Sequence, residues 1–151
     1  MREHRGHTLR RGRRSISNQI YLLTTVTAQR QPLFADFNAS RTLIRAMRFQ
    51  AERDNICSLA FVVMPDHLHW LVELRGAASL SAVMASVKRF SARHCPVDRE
   101  PVWQPGFHDH ALRADDDVRA AARYVVANPL RAGLVKSLWD YPHWDAIWLP
   151  P

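Results

Sequence analysis

The chain has 151 residues, a formal net charge of +7 and an apolar fraction of 47%, and these values limit the kind of protein it can be. The length suits one domain, and the apolar side chains suffice for a hydrophobic core. No uncharged apolar run approaches the roughly 20 residues of a membrane span, and the N-terminus lacks the apolar stretch of a signal peptide. We therefore expect a soluble, cytoplasmic protein with no membrane partner. Two cysteines without a Cys-x-x-Cys pair argue against a disulfide framework or a Cys-rich zinc finger.

The positive charge is concentrated at the N-terminus. Residues 1–14 contain six Arg and one Glu, a net charge of +5, which leaves +2 for residues 15–151. Only Lys88 and Lys136 are lysines; the other basic residues are Arg, which suits bidentate phosphate contacts and stacking on bases. High-GC codon usage would also favour Arg. A basic segment on a nearly neutral body is nevertheless typical of a polyanion partner, nucleic acid first. We predict a flexible basic arm (1–14) and a single folded domain (15–151).

The first predicted elements are a strand and an amphipathic helix. Ile20 to Gln29 is β-branched and apolar, which indicates a strand. From about Asn38 to Arg53 apolar residues recur at helical spacing. A second, basic face of this helix contains Arg41, Arg45 and Arg48. That face is either an ordinary solvated surface or a nucleic-acid contact.

A β-hairpin is predicted next. The apolar runs Ile56 to Val63 and His67 to Leu74 are joined by Met64-Pro65-Asp66, and proline presets a turn and prevents one long helix. Successive side chains of a strand point to opposite faces. One face of the second strand is wholly apolar and must pack on the core: Leu68, Trp70, Val72 and Leu74. The opposite face carries His67, His69, Leu71 and Glu73.

The remaining pattern completes a known topology. Ser79 to His94 predicts a helix with a serine N-cap, and a short strand is expected within Gly106 to Arg113. A last helix follows Asp115–Asp117 and is interrupted at Asn128–Pro129. We interpret the Trp- and Pro-rich C-terminus as an irregular strap. The order β-α-β-β-α-β plus one helix predicts an α+β, ferredoxin-like antiparallel sheet in which the first and third strands are central.

The histidine pair is the first candidate site. His67 and His69 are two residues apart on one strand, so their Cα atoms lie about 6 to 7 Å apart and both rings can bind one metal ion. Alone, a His-x-His pair also fits surface or cross-strand packing. Because the same face of a central strand also carries Glu73, we expect that something covers or uses that face.

The last helix supplies the second candidate group. Tyr124 and Asn128 lie about 40° apart along the flank of the buried stripe, so the Tyr124 hydroxyl can reach a cleft. Tyr124 also fits an amphipathic packing residue. Asn128 before a proline also fits an N-cap of a short helical turn that Gly133 ends.

Three segments together resemble the REP-associated tyrosine transposases, a branch of the single-tyrosine HUH transposases, in which HUH denotes His-hydrophobic-His. They are Val62 to Leu74, Trp103 to Arg113 and Ala122 to Val135. The resemblance covers the chain from about Arg13 to Leu149. The His pair after a Met-Pro-Asp-His turn, combined with a downstream Tyr-x-x-x-Asn-Pro helix end, is far more specific than either motif alone.

The resemblance implies roles for these residues. His67 and His69 would be metal ligands, and Tyr124 would be the catalytic tyrosine. The wider superfamily commonly has Gln four residues after the Tyr as a third ligand; this chain has Asn128, as in the REP-associated branch. Because the Asn side chain is shorter, Glu73 stays open as the alternative ligand. The implied cofactor is Mg²⁺ or Mn²⁺, and no nucleotide cofactor is implied, since the covalent link conserves the phosphoester.

The implied activity is that of a DNA nicking and joining enzyme. By the resemblance it would cut single-stranded DNA at REP-type palindromic hairpins through a 5′-phosphotyrosine intermediate. The resemblance favours a monomer over a dimer and a nucleoid-associated location in the cytoplasm. Two alternatives stay open: a non-catalytic protein that binds REP hairpins with the same fold, and an unrelated metal-binding or RNA-processing ferredoxin-like domain.

Charge, rather than any motif, supplies the candidate DNA contacts. They are Arg10, Arg11, Arg13, Arg14, Arg41, Arg45, Arg48 and His110. His108 and His110 form a second His-x-His pair, but no cysteine spacing for zinc accompanies it. We interpret this second pair as a group near DNA or in packing.

Overall fold

The computed structural model describes residues 18–96, 101–113 and 116–148. The predicted basic arm, with Arg10, Arg11, Arg13 and Arg14, lies outside the described residues, and so does Asp115. The helices and strands, in chain order, are β1 (Ile20–Val26), α1 (Phe37–Glu52), β2 (Ile56–Met64), β3 (His67–Leu74), α2 (Leu80–His94), β4 (His108–Ala111), α3 (Val118–Val126), α4 (Asn128–Arg131) and β5 (Trp144–Ala146). Within these ranges no helix combines the length and apolar character needed to cross a membrane.

The strands form one antiparallel sheet in the order β4-β1-β3-β2-β5. The predicted ferredoxin-like α+β topology is confirmed, with β1 and β3 in the centre. In the register of the sheet, His69 lies opposite Thr24 on one side and opposite Val62 on the other. The hairpin turn between β2 and β3 falls at Pro65–Asp66, as proline at a tight connection predicts.

The sheet has helices on both faces. One face packs against α1 and α2, and the apolar side of β3 is fully buried there, including Trp70, whose indole N–H donates to the Ser58 hydroxyl at 2.9 Å. The other face packs against α3 through Leu71, Ala122 and Val125. Alternation of side chains along β3 therefore places the histidines on the α3 face, as the sequence predicted.

The three longer helices begin at side-chain caps. Asp36, Ser79 and Asp117 accept hydrogen bonds from the backbone N–H groups of Ala39, Ala82 and Ala120. Each cap satisfies one of the donors that a helix start leaves unpaired, which contributes about 1 kcal/mol. The predicted serine N-cap of α2 is confirmed.

In the C-terminal part, the structure does not have the N-cap that was the alternative interpretation of Asn128, and the prediction of an irregular strap is wrong in part. The N-cap of α4 is Ala127, not Asn128, and the Asn128 side-chain amide donates back to the Val125 carbonyl at 2.8 Å. The reason is that α3 continues almost directly into α4, so Asn128 is already inside a helical turn. The C-terminal strap also contains a strand, β5, which pairs with β2. Three residues are too few to show a strand period in the sequence.

Candidate active site

The centre of the site is the histidine pair on β3. The imidazole rings of His67 and His69 lie with their centroids 4.8 Å apart and nearly perpendicular, at 78°. Both rings project from the sheet face that α3 covers in part. This proximity follows directly from their spacing on one strand.

Both rings are held through Nδ1. His67 Nδ1 lies 2.7 Å from an oxygen of Asp66, and His69 Nδ1 lies 2.8 Å from the hydroxyl of Thr24. A carboxylate only accepts hydrogen bonds, so His67 carries its proton on Nδ1 and keeps the lone pair of Nε2. The Thr24 oxygen can accept from His69 in the same way. Metal-ligating histidines usually have such an oriented second nitrogen.

Asp66, in the hairpin turn, also forms an ion pair with Arg30. Its second carboxylate oxygen lies 3.2 Å from Nε of Arg30. Partial burial acts to raise the pKa of Asp66, but the hydrogen bond from His67 and the charges of His67 and Arg30 outweigh burial and lower the pKa. Asp66 is therefore ionised at neutral pH and fixes the orientation of the His67 ring.

His69 is held in its neutral form. Burial, together with the nearby charges of His67 and Arg131, lowers the pKa of His69 to about 4. A neutral imidazole is the form that binds metal ions, because protonation removes the lone pair. His69 is therefore ready to act as a ligand throughout the physiological pH range.

Tyr124 lies in the last turn of α3. Its side chain is 59% exposed, and its hydroxyl makes no hydrogen bond within the described part of the chain. The guanidinium carbon of Arg131 in α4 lies 3.9 Å from the centre of the Tyr124 ring. Val125, the neighbour of Tyr124 on α3, packs against Val62, which lies opposite His69 in the sheet, so the helix that carries Tyr124 runs over the sheet face of the histidines.

The chain has three tyrosines, all within the described residues. Tyr21 is 3% exposed and belongs to the core on the opposite sheet face. The Tyr141 hydroxyl donates to the Val63 carbonyl at 2.5 Å, and burial raises the pKa of Tyr141 to about 12. Tyr124 is therefore the tyrosine whose hydroxyl is available for chemistry.

The two candidate third ligands differ in placement. Asn128 begins α4 and uses its amide nitrogen for Val125, which leaves its oxygen for a ligand. Glu73 lies on the face of the histidines, but four residues along β3 from His69, about 13 Å away, and it pairs with Arg75 at 3.3 Å. Within the described residues no cluster of three or more His, Cys, Asp or Glu could hold a metal. The structure thus brings His67 and His69 together and does not bring Glu73 to them.

The candidate DNA contacts fall in separate places. Arg41 is half-buried and Arg45 and Arg48 are exposed, all on α1, which covers the opposite face of the sheet. Arg41 and Arg48 line a groove of about 400 Å³ against β2 and β5. His108 and His110 are exposed on β4, where His108 lies opposite Thr24. Because Thr24 lies opposite His69, the second His pair shares the sheet face of the first, about 10 Å away across two strand spacings.

Four residues of the site were not predicted from the sequence: Thr24, Arg30, Asp66 and Arg131. Asp66 directly precedes His67 in the turn, and this adjacency could have indicated that it contacts the histidine. Thr24 is placed by strand register, and Arg30 by a left-handed backbone at φ 52°. Arg131 lies seven residues after Tyr124, across the junction of α3 and α4. The positions of Thr24 and Arg30 depend on tertiary structure that local sequence does not reveal.

The sequence pattern of the family described as "Transposase IS200 like" matches residues 15–127. Two curated relatives are similar to the chain. The REP-associated tyrosine transposase of Escherichia coli (strain K12) is 30% identical over 102 residues, which are 66% of this chain and 61% of that protein. A Haemophilus influenzae protein, provisionally given the same name, is 28% identical over 99 residues, 57% of this chain and 56% of its own length. The match therefore spans less than two thirds of either relative.

Solved structures give the same result. A structure described as the REP-associated tyrosine transposase bound to a REP hairpin superposes with a TM-score of 0.74 at 26% identity, covering 87% of this chain and 79% of that one. A provisionally named transposase of Deinococcus radiodurans shares the fold, with a TM-score of 0.51 at 22% identity over 78% of this chain and 95% of that one. These comparisons confirm the family resemblance seen in the sequence.

Proposed function

The chain belongs to the IS200-like transposase family, and from this premise we propose that it cuts and rejoins single-stranded DNA at REP-type hairpins through a covalent link to Tyr124. The hairpin substrate is inferred from the relative solved with a REP hairpin. The observation that carries the reaction is the pair of oriented histidines on the sheet face that α3 covers, together with the exposed Tyr124 side chain on that same helix. We propose that one copy of the chain provides the whole site.

The proposed chemistry is an in-line transfer at phosphorus. A bond forms between the Tyr124 hydroxyl oxygen and phosphorus while the bond from phosphorus to the 3′-oxygen breaks. The phenol loses a proton and the leaving 3′-oxygen gains one, so the charge of the phosphodiester is conserved. Because one phosphoester replaces another, reversal of the step rejoins DNA without a nucleotide cofactor.

The residues present fit a divalent metal ion. Nε2 of His67 and His69 and the amide oxygen of Asn128 would hold Mg²⁺ or Mn²⁺, since the other polar atoms of these side chains are already hydrogen-bonded. When bound, the ion would polarise the phosphodiester and offset its developing negative charge. The protein's own contribution is to orient the two rings and to present the tyrosine on a rigid helix.

The decisive experiment compares two tyrosine variants on a labelled REP-type hairpin with single-stranded flanks. Tyr124→Phe should abolish the covalent protein–DNA adduct seen by denaturing gel, because phenylalanine has no nucleophilic oxygen. Tyr141→Phe is the matched control and should still form adduct, since the Tyr141 hydroxyl is bonded to the Val63 carbonyl.

The outcomes separate the proposal from its alternative. Hairpin binding without an adduct in the unmodified protein, with Mn²⁺ or Mg²⁺ present, would favour a non-catalytic hairpin-binding protein. Normal cleavage by Tyr124→Phe would show that the nucleophile is another group. Preferential binding of an RNA hairpin over the matching DNA hairpin would favour the alternative of an RNA-processing domain.

A further inference from the structure

We propose that Arg131 is a positioning residue of this site, which stacks on the Tyr124 ring and holds the scissile phosphodiester beside its hydroxyl. This inference rests on the proposed function. The proposed ligand of the Arg131 guanidinium is the non-bridging oxygens of one phosphate of single-stranded DNA.

The stacking contact is the first support. With its central carbon 3.9 Å from the ring centroid, the guanidinium lies against the face of the Tyr124 ring. A cation on an aromatic face is attracted by the ring quadrupole. The contact fixes the plane of a tyrosine ring that is otherwise more than half exposed.

The N–H donors of Arg131 are the second support. Stacking uses the face of a guanidinium and leaves its in-plane N–H groups for a fork-like contact with a phosphate. Within the described residues Arg131 makes no ion pair, whereas Arg30, Arg75 and Arg123 each lie near a carboxylate. Arg131 is thus a cation at the site whose donors no acidic side chain occupies.

The place of Arg131 beside the proposed nucleophile is the third support. Its guanidinium carbon lies 3.9 Å from the centre of the Tyr124 ring, and Tyr124 is on α3, the helix that packs against the sheet face of the histidines. An anion bound by this guanidinium would therefore lie close to the Tyr124 side chain. An in-line displacement needs its phosphate within reach of the attacking oxygen.

The junction of α3 and α4 places the two side chains. They are seven residues apart, and because α3 continues almost directly into α4 through Ala127, residues at this spacing lie on one side of the helical path. Pro129 is buried beneath this turn and its carbonyl accepts from Leu134 N–H at 2.9 Å. The Tyr–Arg pair is therefore built on a packed turn rather than on an exposed loop.

Arg131→Ala and Arg131→Lys test the proposal, with Arg123→Ala as a matched control on α3. Arg123 is exposed and lies only 3.9 Å from Asp117. At saturating hairpin, Arg131→Ala should form adduct about 100-fold more slowly, as for loss of one transition-state donor, while the hairpin Kd changes less than about threefold. Arg131→Lys should restore little of the rate of adduct formation, because an ammonium group neither stacks on a ring nor makes a bidentate contact with phosphate. Arg123→Ala should match the unmodified protein.

Two readouts distinguish positioning from a structural role. Added guanidinium chloride, at concentrations that leave the fold intact, should raise the rate of adduct formation by Arg131→Ala several-fold. The rate of Arg123→Ala should not change. In ¹H–¹⁵N spectra of unmodified protein, the Arg131 Nε–H should move when a short single-stranded oligonucleotide is added, whether or not cleavage follows. The spectra thus test Arg131 even if the unmodified protein forms no adduct, a result that would count against the proposed function alone.

Three outcomes would overturn the assignment. One is a normal rate of adduct formation by Arg131→Ala at saturating hairpin. Another is an equal loss of hairpin affinity and of the rate of adduct formation in Arg131→Ala, without rescue by guanidinium. That result would make Arg131 an ordinary contact with the DNA backbone. The last is an Arg131 Nε–H signal unmoved by saturating oligonucleotide.

Discussion

His67 and His69 stand two positions apart in the chain, but groups from different elements hold their rings. Asp66 holds His67 from the hairpin turn, and Thr24 holds His69 from the neighbouring strand. A ring free to rotate would present Nε2 in several directions and would pay an entropic cost on binding metal. The two hydrogen bonds therefore pre-orient the pair.

This arrangement predicts the effect of Thr24→Val, which removes a hydroxyl and keeps the shape of the side chain. Metal affinity, measured by calorimetric titration with Mn²⁺, should fall about 10- to 100-fold, as for other oriented ligand histidines. Thr25→Val is the control, because Thr25 alternates to the other face of the sheet and its hydroxyl makes only a long, 3.4 Å contact with the Gly106 carbonyl. Equal Mn²⁺ affinity in Thr24→Val and the unmodified protein would contradict the orienting role.

The pKa of His69 predicts how stability depends on pH in metal-free buffer. The folded-state pKa of about 4 lies below the ordinary value of 6.5, so the unfolded chain binds this proton more tightly. The stabilisation is full above pH 6.5 and is lost as pH falls toward 4. Between pH 7 and 4.5 this residue should reduce the free energy of unfolding by about 2 to 3 kcal/mol.

Urea denaturation of the unmodified protein and of His69→Gln, both in EDTA, checks this pH dependence. Glutamine does not titrate, so the variant should show a flatter pH dependence over the same range. His143 acts in the same direction, because burial and the charge of Arg41 lower its pKa, and its contribution should persist in both proteins. Identical pH slopes would contradict the shift.

At the scale of elements, the sequence predicted the features that follow from the periodicity of side chains along one strand or helix. It missed features that are defined by contacts between elements. Alternation along β3 assigned both faces of the central strand, including the buried side of Trp70 and the histidine side. The β5 strand was missed because its three residues are defined by pairing with β2. Arg131 was missed as a site residue because Asn128–Pro129 was interpreted as the end of the helix, so no contact seven residues beyond Tyr124 was expected.

The end of α4 gives a test of the turn that carries Arg131. Gly133 has φ +75°, and the space around its missing Cβ is open. Gly133→Ala should therefore cost about 1 kcal/mol through backbone strain alone. Chemical denaturation should show this loss, whereas the exposed-site control Lys136→Ala should stay within about 0.5 kcal/mol of the unmodified protein. A stability loss below that level in Gly133→Ala would argue that the turn adapts.

At the scale of the whole molecule, the sheet separates two sets of charged groups. The histidines lie on the face covered by α3, the helix that carries Tyr124, while Arg41, Arg45 and Arg48 lie on the helix that covers the other. A hairpin with flanking single strands is large enough to contact more than one such surface. The proposed reaction site and the arginines proposed to contact DNA are thus in separate places, and on this proposal affinity and cleavage should respond to different substitutions.

Removal of residues 1–14 tests that separation directly. These residues carry +5 of the net charge of +7, so their loss should weaken hairpin binding and reduce the slope of log K against log salt by about 3 to 4. Adduct formation at saturating hairpin should change little, because His67, His69 and Tyr124 all remain. Arg41→Ala with Arg48→Ala is the comparison, since it removes two charges from α1 and should reduce the slope by about 1.5. A truncated protein that loses its folded spectrum, or that keeps the original salt slope, would show that the segment supports the fold rather than the contact with DNA.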